Sequence, residues 1–398
     1  MHQNIRTLYL LNFLNGIVFW YPIEKLYLLS IHIEPVGISI NAIVFLIILV
    51  VFDVPAGVLA DKWKRKYTLL LSLVALILSS IVGGLSNNLV EYLPMTVLLG
   101  AFVVLTQGTF QAMMYDSLRD SGHESTYDKH QGRSYALFLA GLGVSSLAGG
   151  YMANTFGYRS TYFATAVTMI IALLVTFTLS EPKSHKPQAD HKLKEHIQTS
   201  LKQFFASRLL FQLSLLITAA SILRSAQNEY AGLFFTALGL TAIPIGYATA
   251  GKWLFSSLGQ VAAPRIGRKA LQLVPLFFIT FTIFSLIHSR WSLVFFYIAG
   301  FLFSVITNQA EAAVQDITPS EVRATMLSLL TFTSNLILVP LSLLFGWIAQ
   351  HSNVFNAYLM IAGVGLLYLI AWLFMGRPTL QYHISNKKQL PSIEAELA

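Results

Sequence analysis

Long runs of apolar residues follow one another along almost the entire chain, and short polar or Gly- and Pro-marked breaks separate them. Runs such as 43–52 and 69–78 are continuously apolar, whereas the strands of a membrane barrel would alternate apolar and polar positions. A membrane-spanning helix needs about 20 mostly apolar residues, so the pattern predicts an all-α membrane protein with twelve transmembrane helices. The predicted spans are 7–30, 37–59, 67–85, 93–116, 133–154, 158–180, 209–236, 244–263, 270–288, 292–315, 324–349 and 353–375.

The composition agrees with a membrane protein and excludes an ordinary soluble domain. Of the 398 residues, 55% are hydrophobic and 11% are charged, and the mean hydropathy is +0.63. Cysteine is absent, which excludes disulfides and thiolate metal sites. The first apolar run is too long for the core of a signal peptide and lacks a small-residue cleavage site, so we expect it to be retained as the first span.

Lysine and arginine set the predicted orientation in the membrane. An even number of spans places both termini on one side, and most of the 26 basic residues fall in the loops of that side. Because basic residues concentrate in cytoplasmic loops, both termini are predicted to be cytoplasmic, in a multi-pass protein of the inner cell membrane. The net charge of +8 then follows from topology, and no nucleic-acid partner is expected.

A long basic loop divides the chain into two halves. The predicted organisation is an N-terminal six-helix bundle, a cytoplasmic linker with a possible interfacial helix, a C-terminal six-helix bundle and a cytoplasmic tail, at 1–180, 181–208, 209–375 and 376–398. The basic segment 61–66 after the second span has a degenerate copy at 264–269 after the eighth. Such echoes predict two pseudo-symmetric repeats with a substrate site where they meet.

The loop after the second span carries the clearest motif. It is similar to the pattern Gly-x-x-x-Asp-Arg/Lys-x-Gly-Arg-Lys/Arg of the major facilitator superfamily, with Lys64 in place of the second glycine. The matching residues are Gly57, Asp61, Lys62, Arg65 and Lys66. The resemblance implies a twelve-helix fold made of two six-helix bundles, and a loop that helps to hold the outward-open state.

Elementary electrostatics predicts a conformational latch at the same loop. Asp61 is placed to cap the positive N-terminal end of another helix, and we expect that helix to be the eleventh span. Arg65 is placed to reach Asp116 at the end of the fourth span, with Arg133 as a third partner. The alternative, simple positive-inside topology, explains the lysines but not the acid. Because Pro264 stands where the first half has Asp61, the latch is expected in the N-terminal half alone.

The fifth span carries a partial second motif. The antiporters of the family resemble Gly-x8-Gly-x3-Gly-Pro-x2-Gly-Gly, and here Ser145 and Ser146 replace the Gly-Pro pair. The matching residues are Gly132, Gly141, Gly149 and Gly150. This resemblance implies export, whereas close packing of small residues, which is common in membrane helices, is the alternative explanation.

Ionisable residues inside spans cost at least about 2.5 kcal/mol each at the bilayer centre, so they are candidates for function. Arg224 and Lys252 lie deepest and suit an anionic or zwitterionic substrate, with Glu229 as their expected counter-ion; the alternative is a purely structural ion pair. The candidates for proton coupling or gating are Asp53, Glu229 and Glu311. Glu24 and Lys25, near the outer end of the first span, are attributed to local pairing rather than to function.

Neutral polar residues complete the predicted substrate cavity. They are Asn12, Asn15, Gln107, Gln111, Asn228, Asn308 and Asn335. No Walker loop is present, so ATP is not the local energy source, and the scattered histidines offer no compelling metal site. We therefore expect no cofactor and no metal.

Together these patterns predict a secondary active transporter that moves a small organic molecule by alternating access. We favour proton-coupled export of a drug or metabolite, that is, an antiporter acting as a monomer, with the substrate, protons and the lipid bilayer as partners. One alternative is an importer or symporter of an organic anion or nutrient. A membrane-embedded enzyme or receptor on the same fold is a further alternative, which the absence of a convergent set of acids and histidines disfavours.

Overall fold

The structure is a computed structural model that describes residues 2–182, 208–317 and 323–376. Within these ranges the side chains of 53–62 and 323–331, and of a few residues at the ends of ranges, lie outside the description. Every regular element in the described ranges is helical. The predicted interfacial helix of the linker and all but the first residue of the tail fall outside the described residues.

The first half contains seven α-helices and a 3₁₀ turn, Tyr21–Ile23, between the first two. They are α1 His2–Asn15, α2 Glu24–Ser30, α3 Pro35–Lys62, α4 Arg65–Leu85, α5 Leu89–Arg119, α6 Tyr127–Phe156 and α7 Tyr158–Phe177. Gly157 alone joins α6 to α7, and its φ of 80° is the left-handed conformation that glycine adopts without strain. Asn88 caps α5 by accepting a hydrogen bond from the Glu91 amide at 3.0 Å.

The second half contains seven further α-helices. They are α8 Arg208–Glu229, α9 Ala231–Ala237, α10 Ala242–Ile266, α11 Val274–Leu286, α12 Ser292–Ile317, α13 Arg323–His351 and α14 Val354–Ala371. A 3₁₀ segment, Gly267–Leu273, joins α10 to α11. Because Pro264 lies inside the last turn of α10 without ending it, the predicted loop after the eighth span is itself helical.

Ten helical stretches in the described residues are long and apolar enough to cross a membrane. One of them, 242–286, is 45 residues long and covers both the eighth and the ninth predicted spans. The first predicted span is absent from the ten because the structure divides it into α1 and α2. The first and seventh predicted spans are each divided into two helices in the structure, and the other ten fall on helical stretches to within a few residues at their ends. The prediction of an all-α membrane fold is confirmed.

The chain forms two compact units, Met1–Ala189 with Gly232–Leu254, and Asp190–Ala231 with Phe255–Ala398. In the first unit α4 packs against α5 and α7, and a core of Leu8, Leu76 and Met113 is fully buried. In the second unit α11 packs against α12 and α14 through buried aromatic rings such as Phe284 and Tyr358, whose centroids are 5.2 Å apart. The predicted bundle boundaries at 180 and 209 stay a prediction.

Candidate functional site

The first span is broken between α1 and α2, and residues of α6 and α7 contact this break. A Cβ atom on Gly16 would collide with the carbonyl oxygen of Phe138 on α6, so only glycine permits the observed approach. Two hydroxyl groups satisfy backbone atoms that the break frees: Ser145 Oγ donates to Gly16 O at 3.1 Å, and Phe19 N donates to Thr165 Oγ1 at 3.0 Å. Irregular backbone inside a membrane protein requires such partners.

The small residues of α6 face this break one turn apart. A Cβ atom on Gly141 would meet the carbonyl oxygen of Phe13, and one on Gly149 would meet that of Phe19. Gly150 packs instead against the start of α10, where its Cβ would lie 2.7 Å from Ala242 O. Gly132 has no atom within 4 Å of its Cβ position, so the motif glycines differ sharply in their surroundings.

A buried ion pair with tyrosine partners lies beyond the break. Lys25 Nζ is 3.0 Å from Glu24 Oε2, and the two side chains are 6% and 13% exposed. Tyr92 Oη donates to Glu24 Oε1 at 3.1 Å and contacts Tyr162 Oη at 2.9 Å, while Tyr27 Oη donates to Gly83 O at 2.9 Å. We call Glu24, Lys25, Tyr27, Tyr92 and Tyr162 the outer cluster.

The outer cluster was missed by the sequence interpretation, which attributed Glu24 and Lys25 to snorkelling and local pairing. The pairing is present, but the side chains are buried, so snorkelling to the membrane surface does not describe them. The partner Tyr92 comes from α5, far away in sequence. The only sequence feature that marked this place was the pair of charges directly after Pro22 in an otherwise apolar run.

Lys252 on α10 lies between aromatic rings of the first unit. Its side chain is 3% exposed, and its Nζ is 4.4 Å from the ring centroid of Trp253 and 5.1 Å from that of Tyr21. Nζ also donates to Tyr21 Oη at 3.3 Å. We call Lys252, Trp253 and Tyr21 the aromatic cradle. Faces of aromatic rings attract cations, so the cradle stabilises a buried ammonium group.

Arg224 is the buried cation of the second unit. Its Nη2 donates to Ser256 Oγ at 2.7 Å, and its guanidinium lies 5.4 Å from the ring centroid of Phe303. Gly300 leaves room for this group, because a Cβ atom there would lie 3.3 Å from Arg224 Nη1. Glu229, predicted as the counter-ion, is half-buried at the end of α8. Its pairing with Arg224 or Lys252 stays a prediction.

The other predicted cavity residues have different surroundings. Asn12 joins two helices, because its Nδ2 donates to both Ser134 O and Ser134 Oγ at 2.9 Å. Asn15 is buried, and its Oδ1 has no hydrogen-bond partner among the described residues. The half-buried residues are Asn228, Asn308 and Asn335, the exposed ones are Gln107, Gln111 and Glu311, and the side chain of Asp53 lies outside the description.

At the opposite end of the first unit, the predicted pair of Arg65 and Asp116 is present, with Nη1 2.7 Å from Oδ2. The second partner of Asp116 is Arg119, at 3.4 Å, on the same helix. Arg133, which the sequence interpretation placed in this role, has an exposed side chain. The side chains of Asp61 and Lys62, and the surroundings of Gly57, lie outside the description, so the latch stays a prediction.

Glu181 completes this arrangement and was missed by the sequence interpretation. Its two carboxylate oxygens accept hydrogen bonds from the backbone amides of Arg65 at 2.8 Å and Lys66 at 3.0 Å. The acid thereby caps the N-terminus of α4, where the helix dipole favours negative charge. Lys66 Nζ donates in turn to Phe177 O, the end of α7, at 2.6 Å. We call Arg65, Lys66, Asp116, Arg119 and Glu181 the inner cluster.

The second unit repeats the ion pair of the inner cluster. Arg268 pairs with Asp316, and its Nη1 donates to Gln309 O at 2.7 Å. An ion pair between the basic segment and the acid at the end of a later span therefore occurs in both halves. The one-sided latch expected from Pro264 depends on Asp61, whose side chain lies outside the description, so it stays a prediction.

Comparison with known proteins identifies the family. The Major Facilitator Superfamily model matches residues 7–337. The chain belongs to this superfamily. It is thus a multi-pass membrane protein of the family that the loop motif indicated.

Within the major facilitator superfamily, the chain is similar to proteins named for drug resistance. It is 26% identical to the multidrug resistance protein MdtG of Dickeya zeae over 60% of each chain. It is 22% identical to multidrug resistance protein 1 of Bacillus subtilis, over 62% of this chain and 61% of that protein. The match thus spans about three fifths of the length of these curated relatives.

Solved structures of the superfamily share the fold. The nucleoside transporter NupG superposes with a TM-score of 0.76 at 13% identity, covering 94% of this chain and 99% of that chain. A D-xylose–proton symporter superposes with a TM-score of 0.70 at 17% identity, covering 93% and 97%. At these identities the likeness extends to the fold alone.

Proposed function

We propose that this chain is a proton-coupled exporter of small organic molecules in the inner cell membrane, working as a monomer by alternating access. The names of the two multidrug resistance relatives and the partial motif of α6 support export. The observation that carries proton coupling is the buried pair of Glu24 and Lys25 in the broken first span.

Glu24 has the surroundings that a proton carrier needs. A lone charge at membrane depth costs roughly 2.5–3.5 kcal/mol, so the carboxylate is retained only with its partners. Lys25 Nζ and Tyr92 Oη both contact its carboxylate oxygens, at 3.0 and 3.1 Å. Both contacts depend on the charge of the carboxylate, so a change of that charge alters the electrostatics of the whole outer cluster. Asp53, Glu229 and Glu311 remain the alternative carriers.

Transport by purified protein in lipid vesicles tests proton coupling. Nile red, an uncharged dye, is a suitable probe, with and without a pH gradient. The Glu24→Gln variant is expected to bind Nile red but to lose the response to the gradient, because glutamine cannot exchange a proton. Glu124→Gln, which changes an exposed carboxylate, is the matched control and should respond like the wild type.

A second variant covers the case in which the uncompensated charge of Lys25 impairs folding of Glu24→Gln. Glu24→Gln/Lys25→Met removes both charges of the pair. It should fold and still ignore the gradient. A gradient response in either variant would show that protons are carried elsewhere, with Asp53, Glu229 and Glu311 next to be replaced.

Import of an organic anion is the second candidate function, and the buried cations Lys252 and Arg224 favour it. Vesicles prepared in the two orientations separate the candidates. An exporter accumulates its probe in inverted vesicles when the interior is acidic, whereas a proton-coupled importer of organic anions accumulates an aromatic sulfonate in right-side-out vesicles when the exterior is acidic.

We also propose that the inner cluster and the pair of Arg268 with Asp316 stabilise one conformational state of the transport cycle. Charge-assisted contacts at helix ends support this role, because they are broken by small rotations of whole helices. Replacing Asp61 by Asn should reduce transport and leave expression near normal. Unchanged transport would show that Asp61 is not part of the latch.

A further inference from the structure

We propose that the aromatic cradle of Lys252, Trp253 and Tyr21 is a substrate subsite for a planar organic anion. A carboxylate or sulfonate group would pair with the ammonium of Lys252, and an aryl ring would pack against the indole and phenol rings. This inference rests on the proposed transport of a small organic molecule and names the chemical class that the first unit recognises.

The depth of Lys252 fits a substrate site. It lies ten residues after the start of α10 at Ala242, which is about 15 Å along the helix and half the thickness of the hydrocarbon core. Tyr21 lies in the break of the first span. Broken spans near the midplane are where secondary transporters build their substrate sites.

Two buried polar atoms lie at the edge of the same break. Asn15, the last residue of α1, is 5% exposed and Trp20 is 2% exposed, yet Asn15 Oδ1 and Trp20 Nε1 have no hydrogen-bond partner among the described residues. Buried polar groups are normally paired, and each unpaired group costs free energy. The ring of Trp20 adjoins that of Tyr21 in the cradle, with centroids 6.3 Å apart, so an indole N–H that lacks an acceptor stands next to the proposed subsite.

The geometry favours an anion over a cation. The ammonium of Lys252 already lies close to both ring faces, at 4.4 and 5.1 Å, so a cationic ligand at these rings would meet a like charge. An anionic ligand meets an opposite charge that the two rings hold in place. The rings also supply flat apolar surface, which an aliphatic anion uses less well than an aromatic one.

Thermal unfolding of the purified full-length protein in detergent tests the subsite. Naphthalenesulfonate is the probe, because its charge is independent of pH and binding is then separate from proton coupling. Hexanesulfonate and N-methylquinolinium are the comparison ligands, one lacking the ring and the other carrying the opposite charge. We expect naphthalenesulfonate to raise the unfolding temperature at the lowest concentration of the three.

Substitutions locate the effect at the cradle. Lys252→Met should raise the half-saturating concentration of naphthalenesulfonate at least about tenfold, Lys252→Arg should raise it less, and Trp253→Leu should raise it several-fold. Lys129→Met and Trp291→Leu, which change exposed side chains, are the matched controls and should bind like the wild type. Lys252→Arg keeps the positive charge and serves as the test variant if Lys252→Met does not fold.

Three results would overturn the subsite. They are no stabilisation of the wild type by naphthalenesulfonate, wild-type binding by Lys252→Met, and binding of N-methylquinolinium as tight as that of the sulfonate. Each leaves the gradient-driven transport of the uncharged Nile red untouched. Failure of the subsite is thus distinguishable from failure of the proposed exporter, in which the gradient has no effect although naphthalenesulfonate still binds.

Discussion

Replacing single glycines of α6 by alanine separates the steric role of these residues from their membership of a sequence motif. In Gly149→Ala the new methyl group would overlap the carbonyl oxygen of Phe19 in the break of the first span. That segment cannot shift freely, because Phe19 N is bound to Thr165 Oγ1. Gly132→Ala places the same methyl group in open space on the same helix.

The two substitutions are expected to change the free energy of unfolding in opposite directions. Forcing a methyl group into a packed position costs about 1–3 kcal/mol, and a rigid backbone neighbour places Gly149 in the upper part of that range. Alanine is favoured over glycine in a helix interior by about 1 kcal/mol. Gly149→Ala should therefore destabilise the protein by about 1–2 kcal/mol, whereas Gly132→Ala should be neutral or stabilising by up to about 1 kcal/mol.

The order of stability is measured by heating both variants in one detergent. The readout is the fraction of protein that remains monodisperse after heating. We expect Gly132→Ala to unfold at or above the wild-type temperature and Gly149→Ala below it. Equal stability of Gly149→Ala and the wild type would refute the steric argument. Strong destabilisation by Gly132→Ala would show instead that the motif glycines act together.

Three further substitutions test the clusters. Glu181→Gln should cost about 1 kcal/mol of unfolding free energy, measured by thermal unfolding, because the α4 cap loses its charge; no loss would show that the cap is dispensable. The side chain of Asp116 is 5% exposed, so Asp116→Asn should lower the free energy of unfolding by several kcal/mol. The side chain of Asp316 is 59% exposed, so Asp316→Asn should lower it by less than about 1 kcal/mol. Equal effects of the two substitutions would contradict this ranking. Tyr92→Phe should lower stability by about 1–3 kcal/mol, because it removes the donor to Glu24, and a stable variant would remove Tyr92 from the outer cluster.

The helices were predictable from the sequence because lipid makes secondary structure a local property. A span must satisfy its own backbone hydrogen bonds and must be about 20 residues long, so the hydropathy of a short segment fixes its conformation. The splitting of the first span was not predicted, because Gly16 and Pro22 are each tolerated inside membrane helices. Their effect depends on the contact of Gly16 with Phe138.

Part of the inner cluster was also predictable. Arg65 and Asp116 stand at the ends of spans that the topology places on one side of the membrane, so their pairing follows from the order of the helices. Glu181 was not foreseen, because its partners are backbone amides that carry no mark in the sequence. The exposure of the Arg133 side chain was not foreseen either.

The sequence by itself determined the all-helical fold and the family, because these follow from span lengths, loop charges and one short motif. Only the tertiary structure decided that Glu24 contacts Tyr92 and that Lys252 lies against Tyr21 and Trp253. Spans such as α10 are apolar nearly all round, so their sequences do not encode which face turns inward. That rotation is set by close packing against neighbouring helices, and it chooses the partner of each buried charge.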